Sequence, residues 1–237
     1  MRYLRLIVRR LFERAEALLA LTFPASWNPL LNLGALGFFF YWIITVSGIY
    51  LFIFFDTGVE AAYSSVEYIT NEQWYLAGVM RSLHRYASDA LVIVMLMHIA
   101  REFGLDRYRG ARWFSWGTGL PVLVMVYIAG ISGYWLVWDK LAQYVAIVST
   151  EWLDRLQIFG EPIARNFLSP ATLDSRFFTL MIFMHIAVPL FALGILWLHL
   201  ARVTKPRINP PLGLAIGSFG AMLALSLIYP AVSQGPA

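Results

Sequence analysis

The sequence predicts an all-α membrane protein: a four-helix transmembrane bundle, an N-terminal amphipathic surface helix and a fifth, C-terminal transmembrane helix. Three observations lead there. The 237-residue chain is 59% hydrophobic and only 14% charged, where soluble domains carry about 25% charged residues. Its apolar residues gather in runs of roughly twenty or more, enough for a helix to cross a bilayer core. Its only four histidines, His84, His98, His185 and His199, form two pairs, each fourteen residues apart and each inside such a run.

The elements follow in order. Residues 3–20, YLRLIVRRLFERAEALLA, mix apolar and basic positions at helical spacing, the pattern of a helix lying in the membrane surface. Arg5, Arg9, Arg10, Glu13 and Arg14 interrupt the apolar residues there, so no cleavable signal peptide is read. Pro24 and Pro29 punctuate the entry to the first span, about 31–55. An acidic loop, 56–74, precedes the second span, about 76–100. A basic loop, 101–113, precedes the third, about 114–137. Segment 139–175 is too polar to cross and holds AQYVAIVSTEWLDRL, an amphipathic helix expected to rest on the membrane face. The fourth span is about 177–201. A basic, proline-rich link leads to a last apolar stretch, 212–232, the expected fifth span. Three units result: a surface segment 1–30, a four-helix core 31–202, and a link with the fifth helix, 203–237.

Lysine and arginine in short loops orient the bundle. With the N-terminus inside, the inner side holds twelve of the eighteen basic residues and four of the fourteen acids, leaving six bases and ten acids outside. The chain is then an integral membrane protein with its N-terminus on the cytoplasmic side, of a bacterial inner membrane or an equivalent one. The net charge of +4 reflects this asymmetry and implies no nucleic acid.

Fourteen residues of helix rise about 21 Å, and fourteen steps of about 100° return to within about 40° of the start. Both histidines of a pair therefore share a helix face at two depths. The second and fourth spans run the same way, so His84 and His185 are outer and His98 and His199 inner. Such paired imidazoles suit two bis-histidine haems stacked across a membrane. Gly34 and Gly48 on the first span, and Gly119 and Gly133 on the third, repeat the fourteen-residue spacing. Gly34 and Gly119 match the inner depth, Gly48 and Gly133 the outer, and glycine removes the side chain where something flat approaches the backbone. Singly, each glycine would be read as close helix packing. Singly, too, a membrane histidine is more often a helix-bridging hydrogen bond or a proton relay. The chain has no cysteine, which excludes disulfides, iron–sulfur clusters and thioether-linked haem on it.

Over about residues 30–212 the chain resembles cytochrome b of the quinol–cytochrome c oxidoreductases, especially the short, split form of quinol–plastocyanin complexes. The residues that carry the resemblance are Gly34 and Gly48; Arg81-Ser-Leu-His84; His98-Ile-Ala-Arg101; Gly119; Gly133-Tyr134 followed by Leu136-Val137-Trp138-Asp139; Arg176-Phe-Phe; His185 with Pro189; and His199. The stretch Glu60-Ala-Ala-Tyr-Ser-Ser-Val-Glu-Tyr-Ile also looks like the split form. The resemblance implies that His84 and His185 ligate an outer haem and His98 and His199 an inner one, both non-covalent b-type. It implies that Arg81 and Arg101 pair with haem propionates, that Lys205 lies near the inner haem and an inner quinone pocket, and that Trp138, Asp139 and Tyr144–Val148 border an outer quinol pocket. For the arginines the plain alternative is a snorkelling interfacial cation, and for Lys205 the positive-inside rule.

Three departures stand out. The family's Pro-Glu-Trp-Tyr motif is absent; Thr150-Glu151-Trp152-Leu153 lies before the fourth span, on the wrong side of it. Val137 stands where the family has proline. Arg176 precedes His185 by nine residues, where the family spacing is about five, one helical turn of about 3.6 residues fewer. In split forms the missing motif is on a separate chain.

The expected function is a di-haem cytochrome b subunit of a bc-type quinol oxidoreductase, carrying electrons across the membrane between quinone and quinol sites, active only with partner subunits. Those would be a chain carrying the outer quinol site and an iron–sulfur or c-type haem protein, about a homodimeric core. The alternative is a di-haem, quinone-linked subunit of a non-bc dehydrogenase or reductase. A proton-relay transporter and a purely structural anchor are further alternatives, and neither explains the glycine spacing.

Overall fold

The computed structural model describes residues 2–157, 160–168, 173–203 and 205–236, which are helical with no strand among them. Helix α1 spans Arg2–Leu19, and no residue of it is buried. Leu4, Ile7, Leu11 and Leu18 form one exposed apolar stripe. Arg5, Arg9 and Glu16 lie together on another side and meet the protein: Arg101 Nε donates to Glu16 at 2.7 Å, Arg5 pairs with Asp106, and the Arg9 backbone lies so close to Gly104 that a Cβ there would sit 3.0 Å from it.

Four long helices form the bundle: α2 (Leu33–Phe54), α4 (Val79–Gly104), α5 (Trp113–Trp135) and α8 (Ser175–Ala201). α2 packs along α4, and α5 along α8, with α4 touching α5 between the two pairs. The Tyr41 hydroxyl on α2 donates to the Pro189 carbonyl on α8 at 2.8 Å, tying the pairs together. Among the described residues, the stretches Pro29–Phe54, Gly110–Trp135 and Ser175–Ala201 are long and apolar enough to cross a membrane. α4 is as long, at 26 residues, but Arg81, Arg85 and Asp89 lower its hydropathy. It also runs past the expected end of the second span, to Gly104, because Arg101 and Glu102 find ion-pair partners there.

The acidic stretch read as a loop is instead folded. It forms α3 (Ala61–Glu67), then two π-helical turns, Tyr68–Glu72 and Trp74–Gly78. The Ala61-Ala62 start favours helix, and Ala62 and Ile69 pack inward at 0% and 2% exposure. The amphipathic helix after the third span is α6 (Lys140–Arg155), capped at its N-terminus by Asp139, whose side chain accepts from the Ala142 N–H at 2.7 Å. It buries Ala142, Ala146 and Thr150, one residue per turn. The short α7 is Ile163–Phe167.

Helix α9, Leu212–Ile228, stops short of the expected residue 232. Pro230 disfavours helix at the residue before it, and Tyr229 leaves the helix at φ −134°, ψ 73°. α9 starts where Gly213 lies on the Trp27 ring, and its Met222 packs against Leu36, Phe40, Leu83, Ala87 and Leu91 of α2 and α4. It thus runs antiparallel to α4, and the extended residues after it reach the start of α4, where the Ala231 N–H donates to Ser82 Oγ at 3.0 Å. Seventeen residues of helix rise about 25 Å, and this extension completes the height of the bundle.

Candidate haem site

The bundle brings the four histidines together as two pairs. His84 of α4 faces His185 of α8, with ring centroids 6.0 Å apart. His98 faces His199 at 6.5 Å. Two metal–nitrogen bonds of about 2 Å, with about 1 Å more from each nitrogen to its ring centre, would let a pair of imidazoles with centres about 6 Å apart hold one metal ion between them. Both pairs fit that distance. Among the described residues no group of three or more His, Cys, Asp or Glu offers a metal site, so a two-imidazole arrangement stands apart from an all-protein metal cage.

Neighbouring helices orient the rings. His84 Nδ1 lies 3.0 Å from the Ile44 carbonyl and 3.1 Å from Ser47 Oγ. His185 Nδ1 lies 2.8 Å from the Ala129 carbonyl. His199 Nδ1 lies 3.3 Å from Thr118 Oγ1, whose own proton goes to the Phe114 carbonyl at 2.9 Å. With the proton on Nδ1 each ring donates to its oxygen and keeps the Nε2 lone pair for a metal.

The glycines take part in the same contacts. A Cβ on Gly48 would come within 3.0 Å of the His84 ring, and one on Gly133 would overlap the His185 ring. One on Gly34 would lie 3.5 Å from His98, and one on Gly119 3.4 Å from His199. Three of the rings reach the backbone four residues before the glycine: His84 at Ile44 before Gly48, His185 at Ala129 before Gly133, and His199 at Ser115 before Gly119. The flat group that these glycines admit to the helix wall is therefore the imidazole itself. That relation is written in the sequence as a glycine four residues after the accepting carbonyl, but it is legible only once the helices are paired.

The arginines differ. Arg81 contacts Thr70 Oγ1 and donates to Ser233 Oγ at 3.0 Å, both neutral groups. Arg101 is engaged by Glu16 at 2.7 Å and Glu102 at 3.4 Å. Lys205 is exposed in the link, at φ 54°. Trp138, also left-handed at φ 53°, is held between Phe177 and Phe178 with centroids 5.9 and 5.0 Å away. Arg176 points outward, its side chain 95% exposed. Tyr144 is exposed on α6. Buried polar atoms without a protein partner include Trp135 Nε1, two residues past Gly133, and Ser115 Oγ and Trp116 Nε1, just before Gly119.

The sequence model of the family described as Cytochrome b/b6/petB matches residues 18–206. The chain belongs to the cytochrome b family. A cytochrome b is an integral membrane protein of electron transport that carries b-type haem, and a cysteine-free chain with paired imidazoles fits haem held by axial ligands alone. The fold is also similar to a chain of a hyperthermophilic respiratory Complex III, with a TM-score of 0.61 and 20% identity. The match covers 87% of this cytochrome b and 58% of that chain, so this chain spans little more than half the length of its structural neighbour.

Proposed function

We propose that this cytochrome b is the di-haem subunit of a bc-type quinol oxidoreductase, with His84 and His185 as axial ligands of an outer haem and His98 and His199 of an inner one. The observation that carries this reading is the twofold occurrence of facing imidazoles at centroid distances of 6.0 and 6.5 Å. Haem supplies reversible one-electron chemistry; the chain supplies ligation, ring orientation and depth. The Ile44 and Ala129 carbonyls hold the outer rings at Nδ1, which would leave Nε2 for the iron. Gly34, Gly48, Gly119 and Gly133 let the rings sit against the helix walls. Arg81, hydrogen-bonded to hydroxyls and in no ion pair among the described residues, is the better candidate for a haem propionate; Arg101 would have to exchange a carboxylate for one. Trp138 and Asp139, at the α5–α6 turn, would border the outer quinol pocket, and Lys205 an inner quinone pocket.

The remaining architecture belongs to the same proposal. The N-terminus is cytoplasmic, because Arg5, Arg101, Arg107, Arg109 and Arg112 gather at the His98/His199 end. Residues 31–202 are the di-haem core, 1–30 the surface segment, and 203–237 the link and fifth helix. The outer quinol site is completed by another chain, an iron–sulfur or c-type haem protein takes electrons outside, and two copies form the core of the complex. The likeness to a respiratory Complex III chain supports this over a non-bc dehydrogenase.

The test is a dithionite-reduced minus oxidised spectrum of the purified complex, with haem counted per chain. Two b-type haems are expected; one would leave a histidine pair with another role, and none would overturn the reading.

A further inference from the structure

We infer that the extended segment 229–235 is a positioning strap for the outer haem site, acting through Ser233 on Arg81 and through Ala231 and Gln234 on the starts of α4 and α6. The inference rests on the proposed role of His84 and His185 as ligands.

The segment leaves α9 at Tyr229 and runs without helix to Gly235, which takes φ 84°. Its polar groups are spent on the His84 end. The Tyr86 hydroxyl donates to the Tyr229 carbonyl. The Ala231 N–H donates to Ser82 Oγ at 3.0 Å, and Ser82 is fully buried. Ser233 Oγ accepts from Arg81 Nη2 at 3.0 Å. The Gln234 N–H donates to Asp139 Oδ2 at 2.8 Å, and the Lys140 N–H donates to the Gly235 carbonyl at 3.3 Å. Asp139 is 2% exposed, and its other oxygen caps α6. Buried acceptors are seldom left unpaired, so these contacts fix the segment where it lies.

Arg81, Ser82 and Tyr86 all lie within three residues of His84 on α4, and Arg81, one turn away at i−3, shares its side of the helix. Arg81 is not seen in an ion pair with any described carboxylate, unlike Arg101. A guanidinium offers five donors in a fixed fork, and here hydroxyls meet two of them, while the Glu67 and Asp139 carboxylates act on its charge without forming an ion pair with it. Ser233 therefore sets where that charge stands. Removing its hydroxyl frees the Arg81 side chain on one side. A cation that drifts from a haem stabilises its reduced form less, so the outer potential should fall while the inner, about 21 Å away along the helices, stays.

The experiment is a potentiometric titration of the purified complex for the parent protein, Ser233→Ala, Ser233→Thr and Gln234→Pro, with haem counted per chain. The outer component is assigned as the one lost in His84→Leu. Two haems in the parent are read first; their absence would overturn the ligand assignment and the strap with it, whereas two haems with parent potentials in every variant would overturn the strap alone. The expected result is unchanged haem content, a lower potential of the outer component alone in Ser233→Ala and Gln234→Pro, and the parent value in Ser233→Thr. Parent potentials throughout, or equal shifts of both components, would overturn the inference. If Ser233→Ala fails to accumulate, Gln234→Pro, which removes the donor that ties the segment to Asp139 and so frees Ser233 from Arg81 while keeping its hydroxyl, carries the same two outcomes.

Discussion

The His84/His185 and His98/His199 pairs sit on the same two helices with the same spacing, yet they are held differently. In the first, both Nδ1 atoms rest on backbone carbonyls, at 3.0 and 2.8 Å. Its glycines leave no room for a methyl group, and a segment from the far end of the chain ties down the surrounding residues. In the second, His199 also meets a backbone group, at Ser115, and has a longer contact, 3.3 Å, to the Thr118 hydroxyl, while Cβ atoms at Gly34 and Gly119 would meet ordinary van der Waals distances. That end is closed by charge instead: Glu102 faces Arg101, Arg107 and Arg112, and α1 adds Glu16 and Arg5. Equal spacing sets equal depth; what packs beside each ring sets how stiffly it is held.

Replacing a proposed ligand tests the comparison most severely. His185→Leu and His199→Leu are each expected to lose one haem per chain and keep the other, counted by pyridine haemochrome; loss of both from either variant would show one cooperative site rather than two. A sharper contrast comes from the glycines. Gly133→Ala drives a methyl into a ring anchored at 2.8 Å, an overpacking of roughly 1–3 kcal/mol, and should lower outer haem occupancy. Gly119→Ala, with 3.4 Å available, should keep both haems. Equal losses in the two variants would erase the difference in stiffness.

A smaller effect is expected for Thr118→Val, which keeps the shape and removes the oxygen beside His199. A net hydrogen bond of about 0.5–1.5 kcal/mol should appear as easier loss of inner haem during thermal unfolding, with the outer haem unaffected. Smallest is the pH response of the α1 contact. Hydrogen bonds from Arg109 and then Arg5 hold the half-buried Asp106 carboxyl down to about 2, below the usual value of about 3.9. A depressed carboxylate contributes stability above its unfolded value and loses it as pH falls through the folded one. Amide exchange in α1, corrected for intrinsic rates, should therefore be flat from pH 8 to 5 and rise only below about 4; a rise near neutrality would mean that another group closes this end.

The sequence alone determined what depends on local geometry. Helix rise and the angular step made His84, His98, His185 and His199 two pairs at two depths, and placed Gly34, Gly48, Gly119 and Gly133 at the matching levels, because those periods hold within any one helix. Composition marked a membrane chain, and the spacing of apolar residues in AQYVAIVSTEWLDRL marked the amphipathic helix that the structure shows as α6. The acidic stretch 56–74 was not legible as helix, since its π-turns form against buried Ala62 and Ile69 rather than by propensity. Nor were the partners of Arg81 and Arg101, which share a helix and a sequence context but meet hydroxyls in one case and carboxylates in the other. Those choices join residues far apart in the chain: His84 to the Ile44 carbonyl 40 positions away, Arg81 to Ser233 152 away. Only the closed bundle brings such groups within hydrogen-bonding reach, because no periodicity within a single helix encodes which wall it will face.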